Sequence, residues 1–183
     1  MIFVLGGGVL MSFDKKIGVF SGKFDVSKAR QCVKGIAMRD NKVLFLRSKT
    51  GEYFFPGGGI EDKETHQDTL RREMLEETGY RCKSINRYLG RILLRRPDKF
   101  EHTEMYELVS YFYLCELSME QGRQSLTENE KMNGYQPIWA EAEEVWRLTR
   151  NFQKDHSQID FLYESTLFVL SYIRNHLGIK NKG

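Results

Sequence analysis

The stretch from Pro56 to Tyr80, PGGGIEDKETHQDTLRREMLEETGY, constrains this chain more than any other. Its second half reads as a helix. Leu70 and Met74 make an apolar i,i+4 pair, Leu, Met, Arg and Glu fill the interior, and Gly79 is a natural stop just past the end. At 3.6 residues per turn, Glu73, Glu76 and Glu77 fall on one face. Like charges at that spacing cost roughly 0.2–0.5 kcal/mol per pair, so helix stability does not ask for the cluster. A divalent cation does, because Mg²⁺ and Mn²⁺ prefer oxygen ligands and an ion reverses the sign of the local field. Just upstream, Gly57, Gly58 and Gly59 permit positive φ and close approach of backbone to a ligand or metal. Arg72 is expected to reach back to Glu64 and hold this glycine loop against the helix.

The spacing is specific. Gly58 is followed after five residues by Glu64, and after seven more by Arg72-Glu73-Met74; then come Glu76-Glu77 and Gly79-Tyr80, each after one intervening residue. This resembles the box of the Nudix (MutT-like) hydrolase family, G-x5-E-x7-R-E-U-x-E-E-x-G-U, where U is a bulky apolar residue. Every fixed identity is met, Met74 fills the first U, and Tyr80 is aromatic where the second U is usually aliphatic. With ~7% for each of seven fixed residues, a chance match is on the order of 10⁻⁸ per start position. A merely solvated acidic helix face explains neither the loop glycines nor the spacing.

The resemblance implies an α/β fold, an α/β/α sandwich with a mixed β-sheet. It implies a hydrolase that uses Mg²⁺ or Mn²⁺ to cleave the diphosphate linkage of a small-molecule nucleotide, a nucleoside diphosphate joined to another moiety, releasing a nucleoside monophosphate. Within it, Glu76 and Glu77 are the principal metal ligands, Glu73 is a ligand or the general base, Gly58 lies at the metal, and Arg72 and Glu64 complete the catalytic set. Some family members place the base in a loop outside the box; here the candidate is Glu130, with Glu128 next. Arg47, Lys49 and Arg95 are candidates to grip phosphates, as are Arg91 and Arg96, each against the plainer reading of solvated surface charge. Tyr53, Phe54 or Tyr111 could stack on a base, though strand aromatics are more often core. Homodimers are common in the family. Two rivals stand beside this reading: a non-catalytic Nudix ligand-sensing or binding module, which usually lacks a box glutamate, and an RNA 5′ pyrophosphohydrolase, which wants a broad basic groove.

Composition bounds the rest. A chain of 183 residues supports one domain with a proper core. With 28 Lys and Arg against 25 Asp and Glu, the net charge of +3 is too small to argue for nucleic-acid binding. Cys32, Cys82 and Cys115 are odd in number and unpatterned, which suggests free thiols in a reducing, cytoplasmic setting. The apolar start, MIFVLGGGVL, lacks a basic region and is too short to span a bilayer. Residues 1–30 are read as a tail or lead-in arm and residues 31–183 as the Nudix domain, C-terminal helix included.

Along the chain, Gln31–Arg39 and Lys42–Ser48 predict a hairpin about Asp40-Asn41, and Glu52–Phe55 a short strand. Arg81–Leu89 and Gly90–Arg96 predict two strands bent at Gly90, followed by a basic loop over Arg95–Lys99. Thr103–Leu117 is the longest strand candidate. Gln121–Gly134 reads as loop, Gln136–Ala140 as strand, and Glu141–Thr149 and Ile159–Leu177 as helices. The four histidines read as surface or capping residues.

Overall fold

The computed structural model describes residues 4–5, 8–9, 12–21, 25–97, 104–155 and 161–177. The strands are β1 (Val4–Leu5), β2 (Gly8–Val9), β3 (Phe13–Gly18), β4 (Asp25–Arg39), β5 (Lys42–Arg47), β6 (Tyr53–Phe54), β7 (Tyr80–Pro97), β8 (Glu104–Gln121) and β9 (Gln136–Ala140). The helices are α1 (His66–Thr78), α2 (Glu128–Asn133), α3 (Ala142–Asp155) and α4 (Phe161–His176). β1 and β2 pair only with each other. The other seven strands form one sheet, in the order β3-β7-β8-β4-β5-β6, with β9 also on β5. β3 runs parallel to β7 and β4 parallel to β8; the remaining pairs are antiparallel, so the sheet is mixed.

Alternation along the strands divides the core into two layers. Val33, Ala37 and Leu44 pack with Leu70 and Met74 of α1 on one face. Ile36, Val43, Phe45 and Phe112 pack with Val145 of α3 and with Val169, Leu170 and Ile173 of α4 on the other. The result is an α/β/α sandwich. Among the described residues no helix is long and apolar enough to cross a membrane.

The Asp40-Asn41 hairpin forms with φ of 50° and 62°, the left-handed pair that a two-residue turn between twisted strands requires. Yet β4 and β5 pair only at Met38–Val43 and Arg39–Lys42. Beyond that the two strands part, and the loop after β6 fills the gap. Gly35 N–H donates to Pro56 O (2.9 Å), Val33 N–H to Gly58 O (2.9 Å) and Ile60 N–H to Gln31 O (3.1 Å). This split is what brings the glycine loop into the middle of the sheet.

Four expectations need correction. β4 begins at Asp25, because parallel pairing with β8 from Asp25–Glu104 onward carries a polar stretch into the sheet. β7 is one continuous strand: Gly90 (φ 149°) marks a shift in register, and a Cβ there would lie 2.3 Å from Phe13 O of neighbouring β3. Arg95 and Arg96 therefore belong to strand and not to a loop; residues 98 and 99 lie outside the described residues, as do His102 and His156. Finally, Gln121–Gly134 is not all loop. It contains α2, a helix without a buried side, opened by a reciprocal Thr127–Glu130 capping box.

Candidate active site

α1 is fixed at both ends and underneath. Thr65 caps it, accepting from Asp68 N–H (3.2 Å) while Asp68 accepts from Thr65 N–H (3.1 Å). Gly79, with φ of 75°, ends it. Leu70 and Met74 are fully buried against the sheet, which turns the glutamate face towards the glycine loop.

Glu73 and Glu77 are 8% and 5% exposed, whereas the Glu76 side chain is 41% exposed. Glu77 Oε2 accepts a 2.6 Å hydrogen bond from Gly57 N–H. Burial pushes the Glu77 carboxyl up to about 7, against the opposing pull of Lys34 and the Gly57 N–H. Burial also raises Glu73, opposed by Arg72 and Lys34. Gly58 is packed so tightly on Glu73 that a Cβ would stand 2.3 Å from its Oε1. Two largely desolvated carboxylates thus sit against the glycine loop, with Arg72 and Lys34 as the cations acting on them.

Arg72 makes the expected link. Its Nε and Nη2 donate to the two oxygens of Glu64 at 2.7 and 2.8 Å, and Nη2 also reaches Gly59 O at 3.2 Å. That fork holds the Glu64 carboxyl down to about 2. Nη1 lies between the cluster members, 2.7 Å from Glu73 Oε1 and 3.3 Å from Glu76 Oε2. Among the described residues no three acidic, histidine or cysteine side chains converge to enclose an ion as they stand. Arg72 is the charge now neutralising Glu73 and Glu76.

Glu130 is near enough to raise Glu77 electrostatically, but its Oε2 accepts from Thr127 N–H (2.7 Å) as part of the α2 cap. Glu128 is exposed and pairs with Lys131 at 2.7 Å. None of the basic residues named from sequence is among those lining the cavity beside Gly58 and Gly59. Arg47 is exposed with its guanidinium over Tyr53 (5.9 Å), Lys49 is exposed, and Arg95 pairs with Glu107 and lies over Phe20 (5.2 Å). Arg91 pairs with Asp14 at 2.9 Å, and Arg96 lies over Tyr106. Tyr111 packs on His66 of α1, whose Nδ1 meets Tyr113 OH at 2.8 Å. Phe54 does face the site, packed with Tyr135 along a cavity beside Gly58 and Gly59.

The cations that line that cavity are Arg30 and Lys34 of β4. Lys34 Nζ donates to Gly57 O. Sequence reading passed over both. The signal was a lysine inside an otherwise apolar strand, QCVKGIAM, on the same side as Arg30 by the two-residue repeat.

Comparison with known proteins agrees with this geometry. A family model described as the NUDIX domain matches residues 29–162. A NUDIX hydrolase from Nitrosomonas europaea superposes with a TM-score of 0.53 at 16% identity, covering 76% of this chain and 86% of that one. A variant of the Bacillus subtilis pyrophosphohydrolase is 25% identical with a TM-score of 0.46, covering 63% of this chain and 65% of that one. An ADP-ribose pyrophosphatase from Streptococcus suis is 15% identical with a TM-score of 0.44, covering 62% and 75% respectively. The domain match, the mixed-sheet sandwich and the intact glutamate box agree: the chain belongs to the Nudix family and is an enzyme of its pyrophosphohydrolase type.

Proposed function

We propose that the protein hydrolyses a diphosphate linkage in a nucleoside diphosphate joined to another moiety, releasing a nucleoside monophosphate, with Mg²⁺ or Mn²⁺ as cofactor. The observation that carries this is the pair of buried carboxylates, Glu73 and Glu77, pressed against Gly57 and Gly58. Arg72, Lys34 and Gly57 N–H offset part of the cost of burying that pair; a divalent ion is the further group its oxygen donors fit. Glu73, Glu76 and Glu77, with the Gly58 backbone, would hold it. The bound ion supplies positive charge for phosphate oxygens and makes water a stronger nucleophile.

The protein's own groups do the rest. Arg72 ties Glu64 to Gly59 and so fixes the loop against α1. Lys34 and Arg30 place positive charge on the cavity side of that loop, where an anionic substrate needs it. Glu130 has a proton-accepting oxygen near Glu77 and, with Glu73, is the candidate to take the water proton. The intact box favours this reading over a non-catalytic module, and the dispersed +3 charge disfavours an RNA substrate. Three free thiols agree with a reducing, cytoplasmic setting.

The test is a panel of nucleotide sugars, ADP-ribose, NADH, dinucleoside polyphosphates, coenzyme A and nucleoside triphosphates, run with metal and with chelator. Release of a nucleoside monophosphate that stops on chelation is expected. Turnover of every panel member at the same rate with or without chelator would overturn the metal dependence.

A further inference from the structure

A second cleft, of about 600 Å³, opens beside the C-terminal end of α1. Among the described residues it shares no lining with the cavity beside Gly58 and Gly59. One wall is α1 itself, through Leu75, Glu76 and Gly79. The other is Arg81 of β7 together with the end of β8 and the loop after it, which brings Arg123 and Ser125. That loop is built onto the helix. Ser125 N–H donates to Glu76 O (2.8 Å) and Gly122 N–H to Gly79 O (2.8 Å). The side-chain amides of Gln124 and Gln121 donate to Glu77 O (2.6 Å) and Thr78 O (3.0 Å). The consecutive carbonyls from Glu76 to Gly79, of the kind a helix end leaves unpaired, are thereby satisfied.

We propose that this cleft is a second phosphate-binding site, held by Arg81 and Arg123. Resting on the hydrolase reading above, its occupant is a phosphate of the substrate that lies beyond the diphosphate linkage. Arginines elsewhere are committed: Arg72, Arg91, Arg95 and Arg174 each meet a carboxylate. Among the described residues Arg81 and Arg123 have no ion pair, although both line the same cleft. Cations beside a helix C-terminus can serve its dipole, but donors from the loop already cover the carbonyls here. The carboxylates among the described lining are Glu76 and Glu120. Glu76 is taken up by Arg72 at 3.3 Å and belongs to the metal cluster proposed above, which leaves two guanidinium groups against Glu120. Ser125 adds a hydroxyl, and of the described lining residues only Leu75 has an apolar side chain. Such a lining gives a flat ring little to stack on and suits a multiply charged anion, because guanidinium groups offer paired N–H donors to phosphate oxygens. Glu76 is common to the cleft and the glutamate cluster, so the two sites are contiguous and a phosphate chain can pass from one to the other. The arrangement favours a substrate whose moiety beyond the diphosphate begins with a further phosphate over one in which that moiety is an uncharged sugar.

The test is calorimetric titration of the full chain with three probes. These are α,β-methylene ADP and α,β-methylene ATP with Mg²⁺ present, and inorganic phosphate with chelator present. Wild type should bind the ATP analogue about tenfold or more tighter than the ADP analogue, the worth of one charge-assisted phosphate contact. Arg81→Ala combined with Arg123→Ala should remove most of that advantage and leave the ADP analogue bound as in wild type, a split that an unfolded protein cannot give. Both arginines are exposed, so the circular dichroism spectrum should be unchanged; if it is not, Arg81→Gln with Arg123→Gln takes their place with the same expectation. Loss of inorganic phosphate alone, with both analogues unaffected, would move the occupant from the substrate to a free anion, with the arginine site upheld. Wild type without preference for the ATP analogue and without phosphate binding would overturn the proposal. So would a folded double variant that binds all three probes as wild type does, or one that weakens the two analogues equally. Hydrolysis by Glu77→Gln, measured alongside, separates the two levels: undiminished turnover there sinks the hydrolase reading itself, whatever the two arginines do.

Discussion

Glu77 is a buried carboxylate, only 5% exposed, and that burial is the reason its removal should be tolerated. Glu77→Gln replaces a desolvated carboxyl, raised to about 7 by burial, with a neutral amide that still accepts from Gly57 N–H. Its melting temperature should match or exceed that of wild type without metal, while turnover falls at least about 10²-fold; scanning calorimetry and product release check the two halves. Gly58→Ala should act differently, since its methyl group displaces Glu73 Oε1. A misplaced ligand of this sort should lower kcat about 10²-fold in steady-state assays with the fold intact. Glu64 gives a pH signature. Its carboxyl is held from an ordinary 4.5 down to about 2 by Arg72, so the stability it contributes is complete above pH 4.5 and lost as pH falls towards 2. Wild type should lose melting temperature more steeply across that window than Glu64→Gln, and equal slopes would refute the linkage.

α1 needs Gly35 beneath it. A Cβ at Gly35 would lie 2.7 Å from Met74 Sδ and 3.0 Å from Leu70 Cδ1, so the side chains that seat the helix would have to shift. Gly35→Ala should cost about 1–3 kcal/mol by urea denaturation and lower activity through displacement of the glutamate face. Elements with a strong local period were legible in the sequence. The box helix follows from Leu70, Met74 and Gly79, the hairpin from Asp40-Asn41, and α4 from its buried stripe. α2 was not, because no residue of it is buried and no apolar period announces it; only Thr127 and Glu130 did, as a capping box. The first six residues of β4 were hidden in the same way, being polar and held by pairing with β8. Arg95 was named for phosphate because charge can be read from sequence and its strand partner Glu107 cannot.

The whole molecule is organised by the parting of β4 from β5. α1 brings its carboxylates to that opening from one face of the sheet, while Lys34, Arg30 and the α4-walled cavity lie on the other. The glycine loop joins the two sides through Glu77–Gly57 and Lys34–Gly57. Arg30 and Lys34 lie on β4, outside the seven fixed box residues, so the box pattern could not reveal them. Because such an ion binds only the folded chain, saturating Mg²⁺ should raise wild-type stability, by about 2.7 kcal/mol at a hundredfold excess over Kd. Titration of Mn²⁺ into wild type and into the Glu76→Gln, Glu77→Gln double variant, followed by electron paramagnetic resonance, probes the cluster itself. Wild type should take up Mn²⁺ at a site that the folded double variant has lost or weakened at least about tenfold. Equal uptake by the two proteins would place the ion elsewhere and remove the basis for the chemistry proposed.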